Sequence, residues 1–272
     1  MQPAYVMYSV QSVGKSNDEV KAIQMSLPIW SQTSGILKVD GVFGESTKRA
    51  VMEFQTQMNL KVDGVVGKTT GGLLGIWREL EKGFDCSHWN SIVWSEIPTD
   101  YSFVNIKATE GATYRDPNFI TSAKQAYYVA LDVGAYHFTK FENDPYKEAC
   151  NFISALRDSK CNFTNVYLDL EYRNSNLKAE EILAWALEFL RAVECNVPKT
   201  THVGVYTSSN YLREIGLQYK SKLSAYELWA ADWNSQPIVP PWHNWSTWQY
   251  TNAGNEAWCS TPLDLNYKVV EK

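Results

Sequence analysis

Residues 166–171, Val-Tyr-Leu-Asp-Leu-Glu, form a short apolar run that ends in two carboxylates and is typical of a buried β-strand. Seven similar runs, rich in β-branched and aromatic residues, lie between residues 84 and 267. Stretches with helical periodicity separate several of them. Strands that alternate with helices are typical of βα units and a mostly parallel sheet. This part of the chain is therefore predicted to be α/β.

Eight strands and four helices are predicted between residues 84 and 272. The predicted strands are Phe84–Trp89, Phe103–Ala108, Val133–Phe138, Val166–Glu171, Val203–Thr207, Leu228–Asp232, Thr247–Tyr250 and Leu263–Tyr267. The predicted helices are Phe119–Val129, Tyr146–Leu156, Ala179–Glu194 and Asn210–Leu217. Eight strands with so few helices predict a closed barrel whose outer helical layer is incomplete.

A short repeat lies nearer the N-terminus. The stretch Leu37-Lys-Val-Asp-Gly-Val-Phe-Gly44 recurs 23 residues later as Leu60-Lys-Val-Asp-Gly-Val-Val-Gly67. Asp-Gly followed three residues later by Gly predicts a tight turn with positive φ. Apolar residues at helical spacing flank the turns, as at Val20, Ile23 and Leu27. The pattern indicates a small three-helix, all-α domain before the barrel.

The change in sequence texture sets the domain boundaries. Residues 1–78 are predicted to form the helical domain, and residues 84–272 are predicted to form the barrel. The charged stretch between them, residues 79–83, is predicted to be a linker, because Gly83 interrupts the preceding pattern.

Charge and hydropathy exclude several classes of function. Lys and Arg number 25 and Asp and Glu 30, so the formal net charge is −5. Nucleic-acid binding depends on cations that neutralise phosphates, so a nucleic-acid partner is not expected. No apolar run approaches the roughly 18 residues that span a bilayer, and membrane insertion is not expected. The first basic residue, Lys15, comes too late for a signal peptide. We therefore expect synthesis in the cytoplasm, with release by another route if the protein acts outside the cell.

The cysteines and histidines show no metal-binding pattern. The five cysteines contain no C-x-x-C pair, and the four histidines contain no H-x-x-x-H or H-x-H group. No metal site is predicted, and the cysteines are interpreted as reduced, buried, small hydrophobes. His137 is interpreted as a hydrogen-bonded core residue.

Acidic residues close several of the predicted strands. Asp169 and Glu171 alternate on one strand, so their side chains point to the same side, with Cα atoms roughly 6.5–7 Å apart. One carboxyl group can keep its proton and act as an acid while its neighbour stays ionised, which is the chemistry of glycoside hydrolysis. Asp85, Glu110 and Asp232 lie at the ends of other strands.

Residues 11–76 resemble the peptidoglycan-binding domain family. They contain Val20-Lys-Ala-Ile-Gln24, Asp40-Gly-Val-Phe-Gly-Glu-Ser-Thr47 and Ala50-Val-Met-Glu-Phe-Gln55, which match its V-K-x-I/L-Q, D-G-x-F-G-x-x-T and A-V-x-x-F-Q motifs. The resemblance implies a module that holds the protein on the bacterial wall, and it does not identify which residues contact glycan.

Residues 84–272 resemble the lysozymes of glycoside hydrolase family 25, which are common among phage endolysins and bacterial autolysins. The matching segments follow one another along the whole domain. They include Gly83-Phe-Asp-Cys-Ser-His-Trp89, Phe103-Val-Asn-Ile-Lys-Ala-Thr-Glu-Gly111, Gly134-Ala-Tyr-His-Phe138, Leu168-Asp-Leu-Glu171, Leu228-Trp-Ala-Ala-Asp232, Trp248-Gln-Tyr250 and Asp264-Leu-Asn266.

This resemblance implies an N-acetylmuramidase that cuts the β-1,4 bond from N-acetylmuramic acid to N-acetylglucosamine without a cofactor. Glu171 is the expected general acid, and Asp169, Asp85 and Asp232 are expected to line the same cleft. The expected partner is peptidoglycan. The substrate-binding residues predicted from strand ends, aromatic faces and matching segments are Glu110, Tyr136, Tyr206, Trp233, Trp248 and Asn266.

From the sequence alone, two other functions remain possible, and so do three routes at the reacting carbon: inversion, retention and assistance by the substrate. A wall-binding protein without catalysis is one alternative. A chitinase-like glycosidase is the other, although its D-x-x-D-x-D-x-E motif is broken at Thr164 and Tyr167. Backbone spacing does not distinguish inversion from retention. We favour assistance by the 2-acetamido group of the substrate, with Asp169 stabilising the intermediate, because muramic acid carries that group.

Overall fold

The computed structural model describes residues 11–27, 37–174, 176–218, 220–234, 237, 239–242 and 244–270. The chain divides into two compact units. The smaller unit comprises residues up to Leu80 together with the C-terminal residues from Val270, and the larger unit comprises Glu81–Val269.

The described part of the smaller unit contains three α-helices, which are α1 (Asp18–Ser26), α2 (Glu45–Gln57) and α3 (Lys68–Leu73). Their apolar faces meet in one core that includes Val20, Ile23, Phe43 and Phe54. The sequence between α1 and the first repeat copy, residues 28–36, lies outside the described residues.

In each copy of the repeat, the side chain of a buried glutamine forms hydrogen bonds that hold the turn. The side chain of Gln24 accepts a hydrogen bond from the Gly41 amide at 2.8 Å and donates one to the Asp40 carboxylate at 3.0 Å. Gly41 has the predicted positive φ of 78°. The second copy repeats these contacts with Gln55, Asp63, Gly64 and Thr70. The repeated residues therefore hold two equivalent turns.

The described part of the larger unit is built around nine strands. They are β1 (Leu80–Cys86), β2 (Tyr101–Glu110), β3 (Tyr114–Arg115), β4 (Asp132–Phe138), β5 (Asn165–Asp169), β6 (His202–Thr207), β7 (Glu227–Ala231), β8 (Thr247–Gly254) and β9 (Leu263–Val269). The sheet order is β1-β9-β8-β7-β6-β5-β4-β2-β3, and pairing of β1 with β2 closes it. Eight strands thus form the barrel, and the two-residue β3 pairs only with β2. The predicted eight-strand barrel is confirmed.

Strand direction determines which residues meet at the mouth of the barrel. Seven strands, β1, β2 and β4 to β8, form parallel pairs, whereas β9 runs antiparallel to β8. The carboxyl ends of the parallel strands therefore share one rim with the amino end of β9. Among the residues that the structure describes here, four α-helices accompany the strands, as predicted: α4 (Phe119–Tyr128), α5 (Pro145–Ser159), α6 (Ala179–Glu194) and α7 (Ser209–Glu214).

Several predicted boundaries are wrong, and two of these differences concern the linker and the site. Strand β1 begins at Leu80, so most of the expected linker, residues 79–83, is strand. Strand β5 ends at Asp169, two residues before Glu171. Beyond that end, the Leu170 amide still donates to the Tyr206 carbonyl at 2.9 Å, and the Thr207 hydroxyl donates to the Leu170 carbonyl at 2.9 Å. Strand β6 therefore holds the segment that carries Glu171.

Aromatic side chains fill the barrel beneath its mouth. Trp229 is 1% exposed, and its ring lies 5.1 Å from that of Tyr167 and 4.6 Å from that of Tyr206. Tyr167 occupies the space beside Gly204, where a Cβ atom would lie 2.6 Å from the tyrosine ring. These packed rings form a solid floor, so the site above them is a recess and not a channel.

The cysteine prediction is partly wrong. All five cysteines are free, and only Cys86 and Cys259 are buried; Cys150 and Cys195 are exposed, and Cys161 is half-buried. Within the described ranges, no helix combines the length and the apolar character that a bilayer crossing requires.

Candidate active site

Carboxylates from three strands meet at the mouth of the barrel. Asp169 ends β5 and is 6% exposed, and Asp85 lies near the end of β1 and is 5% exposed. Asp264 lies near the start of the antiparallel β9 and hydrogen bonds with Asp85. Glu171 follows β5; part of its side chain faces solvent, while neighbouring protein atoms displace much of the water around its carboxyl group. The two acids predicted to act together, Asp169 and Glu171, influence each other electrostatically.

Burial and mutual repulsion favour retention of protons on this pair. Burial and then the charge of Glu171 raise the pKa of Asp169 well above its usual range, and Lys107 partly offsets the rise. Burial and then the charge of Asp264 raise the pKa of Glu171, and Lys107 again opposes the rise. Two interacting carboxyl groups lose their protons as a pair. The pair can therefore hold one shared proton at a pH where isolated carboxyl groups are both ionised, and general acid catalysis by Glu171 uses the form in which that proton is on Glu171 and Asp169 is ionised.

One oxygen of Asp169 is left for a ligand. Oδ1 of Asp169 is buried and has no hydrogen-bond partner among the residues that the structure describes. An unpaired buried acceptor costs free energy until a donor reaches it. A substrate N–H or O–H group in the recess can supply that donor.

Side chains from β8 and β9 hold Asp85 in place. Oδ2 of Asp85 accepts hydrogen bonds from Asn266 at 2.7 Å and from Gln249 at 2.9 Å. Burial and then the charge of Asp264 raise the pKa of Asp85, and the two amide donors oppose the rise. The pKa of Asp264 is itself raised by burial. Asp85 and Asp264 therefore form a second carboxyl pair beside the first.

Replacing Asp264 by Asn is expected to move the alkaline limb of the pH profile to lower pH. The charge of Asp264 helps to raise the pKa of Glu171, so its removal lets Glu171 lose its proton at a lower pH. Activity that requires protonated Glu171 then falls off sooner as pH rises. The measurement is kcat against pH for D264N and for D132N, a control at the opposite end of the barrel. An alkaline limb that stays in place in D264N would contradict the assigned effect of Asp264 on the pKa of Glu171.

Asp232 directly follows β7 and so lies at the same rim. Its Oδ1 accepts the Asn234 amide at 3.0 Å, which stabilises the turn that carries Trp233. The charges that act on Asp85, Asp169 and Glu171 include Asp264 and Lys107. A catalytic role for Asp232 stays a prediction.

Glu110 lies between two lysines at the end of β2. Its carboxylate accepts a hydrogen bond from Lys107 at 2.7 Å and another from Lys140 at 2.5 Å. Burial acts to raise the pKa of Glu110, but the two ammonium groups outweigh burial and lower it. Glu110 is therefore ionised and serves to orient Lys107. Both lysines and Glu110 line a cavity of about 440 Å³ that also includes Trp89 and Tyr114.

The comparison with protein-family models decides the family. Residues 84–257 match the model of glycosyl hydrolases family 25, which is more than half of the chain. The chain belongs to this family. Residues 16–74 match the model of a peptidoglycan binding domain family.

Relatives of this family 25 chain include two named lysozymes. It is 28% identical over 199 residues to Lysozyme M1 of Streptomyces globisporus, and the match covers 68% of this chain and 66% of that protein. It is 29% identical over 171 residues to the autolytic lysozyme of Clostridium acetobutylicum, with 60% of this chain and 47% of that protein covered. The chain thus spans about half to two thirds of the length of these two relatives.

A solved structure shares the architecture of the family 25 unit. The bacterial lysozyme from Streptomyces coelicolor is 29% identical and superposes with a TM-score of 0.60. The match covers 68% of this chain and 90% of that chain.

The family 25 structure gives different roles to the predicted substrate-binding residues. Tyr136 and Tyr206 face the acids, since burial and the nearby carboxylates raise the pKa of both phenols and keep them protonated. Trp233 is 53% exposed, and its Nε1 donates to Gln249 at 3.1 Å, so its ring is accessible to a sugar. A substrate-binding role for these three residues stays a prediction; Trp233 has an accessible ring, whereas Tyr206 is 8% exposed and its hydroxyl donates to Gln249 at 3.0 Å.

For Trp248 and Asn266, the structure indicates support instead of sugar contact. Trp248 is 8% exposed, packs against Trp245 and Tyr267, and donates its Nε1 to the Asp232 carbonyl at 2.7 Å. Asn266 is fully buried, and its amide is engaged by Asp85 and by Nε1 of Trp229. Sugar contact by these two residues stays a prediction, and their burial together with their bonds to neighbouring protein groups disfavours it.

Sequence reasoning missed Lys107, Gln249 and Asp264. All three lie in segments that match the family 25 pattern, close to residues that are predicted to belong to the site. Asp264 alternates with Asn266 on one strand, which was the available signal for a shared face. Gln249 and Lys107 carried no such signal, because their importance arises only from the groups that the closed barrel brings opposite them.

Proposed function

We propose that the protein is a cell-wall muramidase that hydrolyses the β-1,4 bond between N-acetylmuramic acid and N-acetylglucosamine in peptidoglycan. The observation that carries this proposal is the coupled pair of Asp169 and Glu171, one buried and one exposed, in a recess of a family 25 barrel. The relatives named as lysozymes support the same reaction class. The site of action is accordingly the bacterial wall.

Glu171 is the proposed general acid. It is accessible to substrate, and burial together with the charge of Asp264 raises its pKa, which favours retention of the proton that a general acid needs. That proton passes to the glycosidic oxygen as its bond to C1 breaks. The remaining carboxylate can then accept a proton from the water that completes hydrolysis.

Asp169 is proposed to assist the 2-acetamido group of the substrate. The acetamido oxygen attacks C1 as the leaving group departs. The five-membered ring that forms carries a positive charge, which is shared by the former acetamido nitrogen. The unpaired Oδ1 of Asp169 can accept the acetamido N–H and offset that charge. A glycosyl ester trapped on Asp169 would contradict this route and favour direct nucleophilic attack.

The proposed function is tested by the identity of the new reducing sugar. Purified peptidoglycan is digested with the full-length protein, and the fragments are analysed by mass spectrometry after borohydride reduction. A muramidase leaves reduced N-acetylmuramic acid at each new end. Reduced N-acetylglucosamine, cleaved peptide bonds without new reducing ends, or equal cleavage of chitin oligomers would each exclude the proposal.

The smaller unit is proposed to hold the enzyme on its substrate. The match of residues 16–74 to a peptidoglycan binding domain family supports this role. Tethering raises the local concentration of substrate without changing the chemical step. Deletion of residues 1–78 is expected to slow lysis of whole walls much more than cleavage of soluble glycan fragments. Equal losses on both substrates would contradict tethering.

A further inference from the structure

Strand β2 contains an extra residue beside the active site. Its pairing with β4 shifts between Lys107 and Thr109, so Ala108 forms a β-bulge. In a regular strand, residues three apart point to opposite faces. Here Nζ of Lys107 nevertheless donates to Oε2 of Glu110 at 2.7 Å. The bulge therefore turns both side chains to the same side, into the recess.

A buried hydrogen-bonded chain lies behind this bulge. Thr109, His137 and Glu148 are all fully buried. Oγ1 of Thr109 lies 2.7 Å from Nδ1 of His137, and Nε2 of His137 lies 2.9 Å from Oε2 of Glu148 on α5. Burial lowers the pKa of His137 although Glu148 opposes that effect, so the imidazole is neutral. A neutral ring bonded to a carboxylate at Nε2 donates there and accepts the threonine hydroxyl at Nδ1.

Helix α5 also fixes the turn that follows β2. The Asn151 side chain donates to the carbonyls of Gly111 and Tyr114, each at 3.0 Å. Asn143, just before the helix, donates to the other oxygen of Glu148 at 3.2 Å. Helix α5 therefore supports the segment on both sides of Glu110, and the bulge cannot move without breaking buried bonds.

The position of Lys107 affects the charge balance of the recess. Its ammonium opposes the rise in pKa of both Asp169 and Glu171. The other titratable or charged groups around these acids come from several elements of the barrel. They are Asp85 on β1, Glu110 on β2, Tyr136 on β4, Tyr206 on β6, Tyr211 on α7 and Asp264 on β9, with Lys140 beside Glu110.

We propose that Thr109, His137 and Glu148 are positioning residues that lock the bulge and thereby hold the Lys107 ammonium toward Asp169 and Glu171. They contact neither substrate nor the reacting atoms, and they act through Lys107. The kinetic part of the inference rests on the proposed muramidase function; the electrostatic part does not.

The test replaces the threonine hydroxyl without changing the side-chain shape, in the full-length chain. Thr109→Val removes the bond to His137. Thr247→Val is the matched control. Thr247, at the start of β8, is also fully buried, and its Oγ1 lies 3.3 Å from the hydroxyl of Tyr167. Lys107→Met shows the effect of losing the cation. The titrations of Asp169 and Glu171 are followed by carboxyl ¹³C NMR in the protein without substrate.

Thr109→Val is expected to raise the pKa of Asp169 and Glu171, in the same direction as Lys107→Met, whereas Thr247→Val leaves both titrations unchanged. In turnover by Thr109→Val, both limbs of the pH profile are expected to move to higher pH. The kcat is expected to fall roughly tenfold, the factor associated with one hydrogen bond, while KM stays unchanged. Thr109→Ser keeps the hydroxyl and is expected to restore the profile of the unaltered chain.

Titrations that move in Lys107→Met but not in Thr109→Val would overturn the proposal, as would titrations that move in neither variant. If Thr109→Val does not fold, Glu148→Gln, which preserves shape and weakens the bond to His137, is tested by the same criteria. The NMR titration needs no turnover. A failure of the muramidase assignment would appear as missing reducing ends in the unaltered protein, and it is therefore distinguishable from a failure of this inference.

Discussion

Glu171→Gln is expected to reduce kcat on peptidoglycan by roughly 10²–10⁴-fold, the range associated with loss of a general acid. The amide has nearly the shape of the carboxylic acid but has no proton to donate to the glycosidic oxygen. Because Glu171 is exposed in the recess and is not part of a buried network, folding and KM should change little. The measurement is the rate of reducing-end release from soluble glycan fragments.

Glu188→Gln provides the matched control. Glu188 lies on the exposed face of α6, so the same chemical change there leaves the recess intact. Full activity of E188Q with loss in E171Q attributes the effect to the site. Unaltered lysis by a folded E171Q protein would remove Glu171 from the mechanism, and another acid of the recess would have to supply the proton.

Asp169→Asn is expected to lower kcat by about 10³-fold, comparable with the loss of one electrostatic stabiliser of a transition state. The amide keeps the side-chain volume but removes the negative charge that offsets the cationic ring. Removal of Asp169 also relieves repulsion within the carboxyl pair, so the remaining proton is held less tightly. The loss of rate is measured at several pH values, because the pH profile should change shape as well as height.

Asp132→Asn serves as the control for this change. Asp132 is an exposed residue at the start of β4, at the opposite end of the barrel, where it pairs with Lys268. D132N should retain the pH profile of the unaltered protein. A D169N enzyme with normal kcat would show that the buried carboxylate has no role in catalysis and would leave its unpaired oxygen unexplained.

The sequence predicts the strands and helices well because each is a local pattern. Helix α6 has the predicted bounds, Ala179–Glu194, since its apolar stripe is long and continuous. The end of β5 was placed two residues too late. Alternation continues through Glu171, but strand pairing is decided by the neighbouring β6 and not by β5 alone.

The site is only partly predictable because its partners are distant in sequence. Asp85 is held by Asn266, which lies 181 residues further along the chain. The sequence predicts Asn266 as a sugar ligand, because a motif does not distinguish a buried asparagine from an exposed one. The position of Lys107 depends on a bulge that a strand pattern does not reveal. Closure of the barrel, and not any local signal, brings these groups together.

The place of β9 as the last strand of the barrel has a consequence for biosynthesis. Asp264 and Asn266, which complete the group around Asp85, are encoded near the end of the barrel unit. A nascent chain still emerging from the ribosome lacks them until almost the entire unit has been translated. The group of acids is therefore complete only after the final strand has been released and has inserted beside the first.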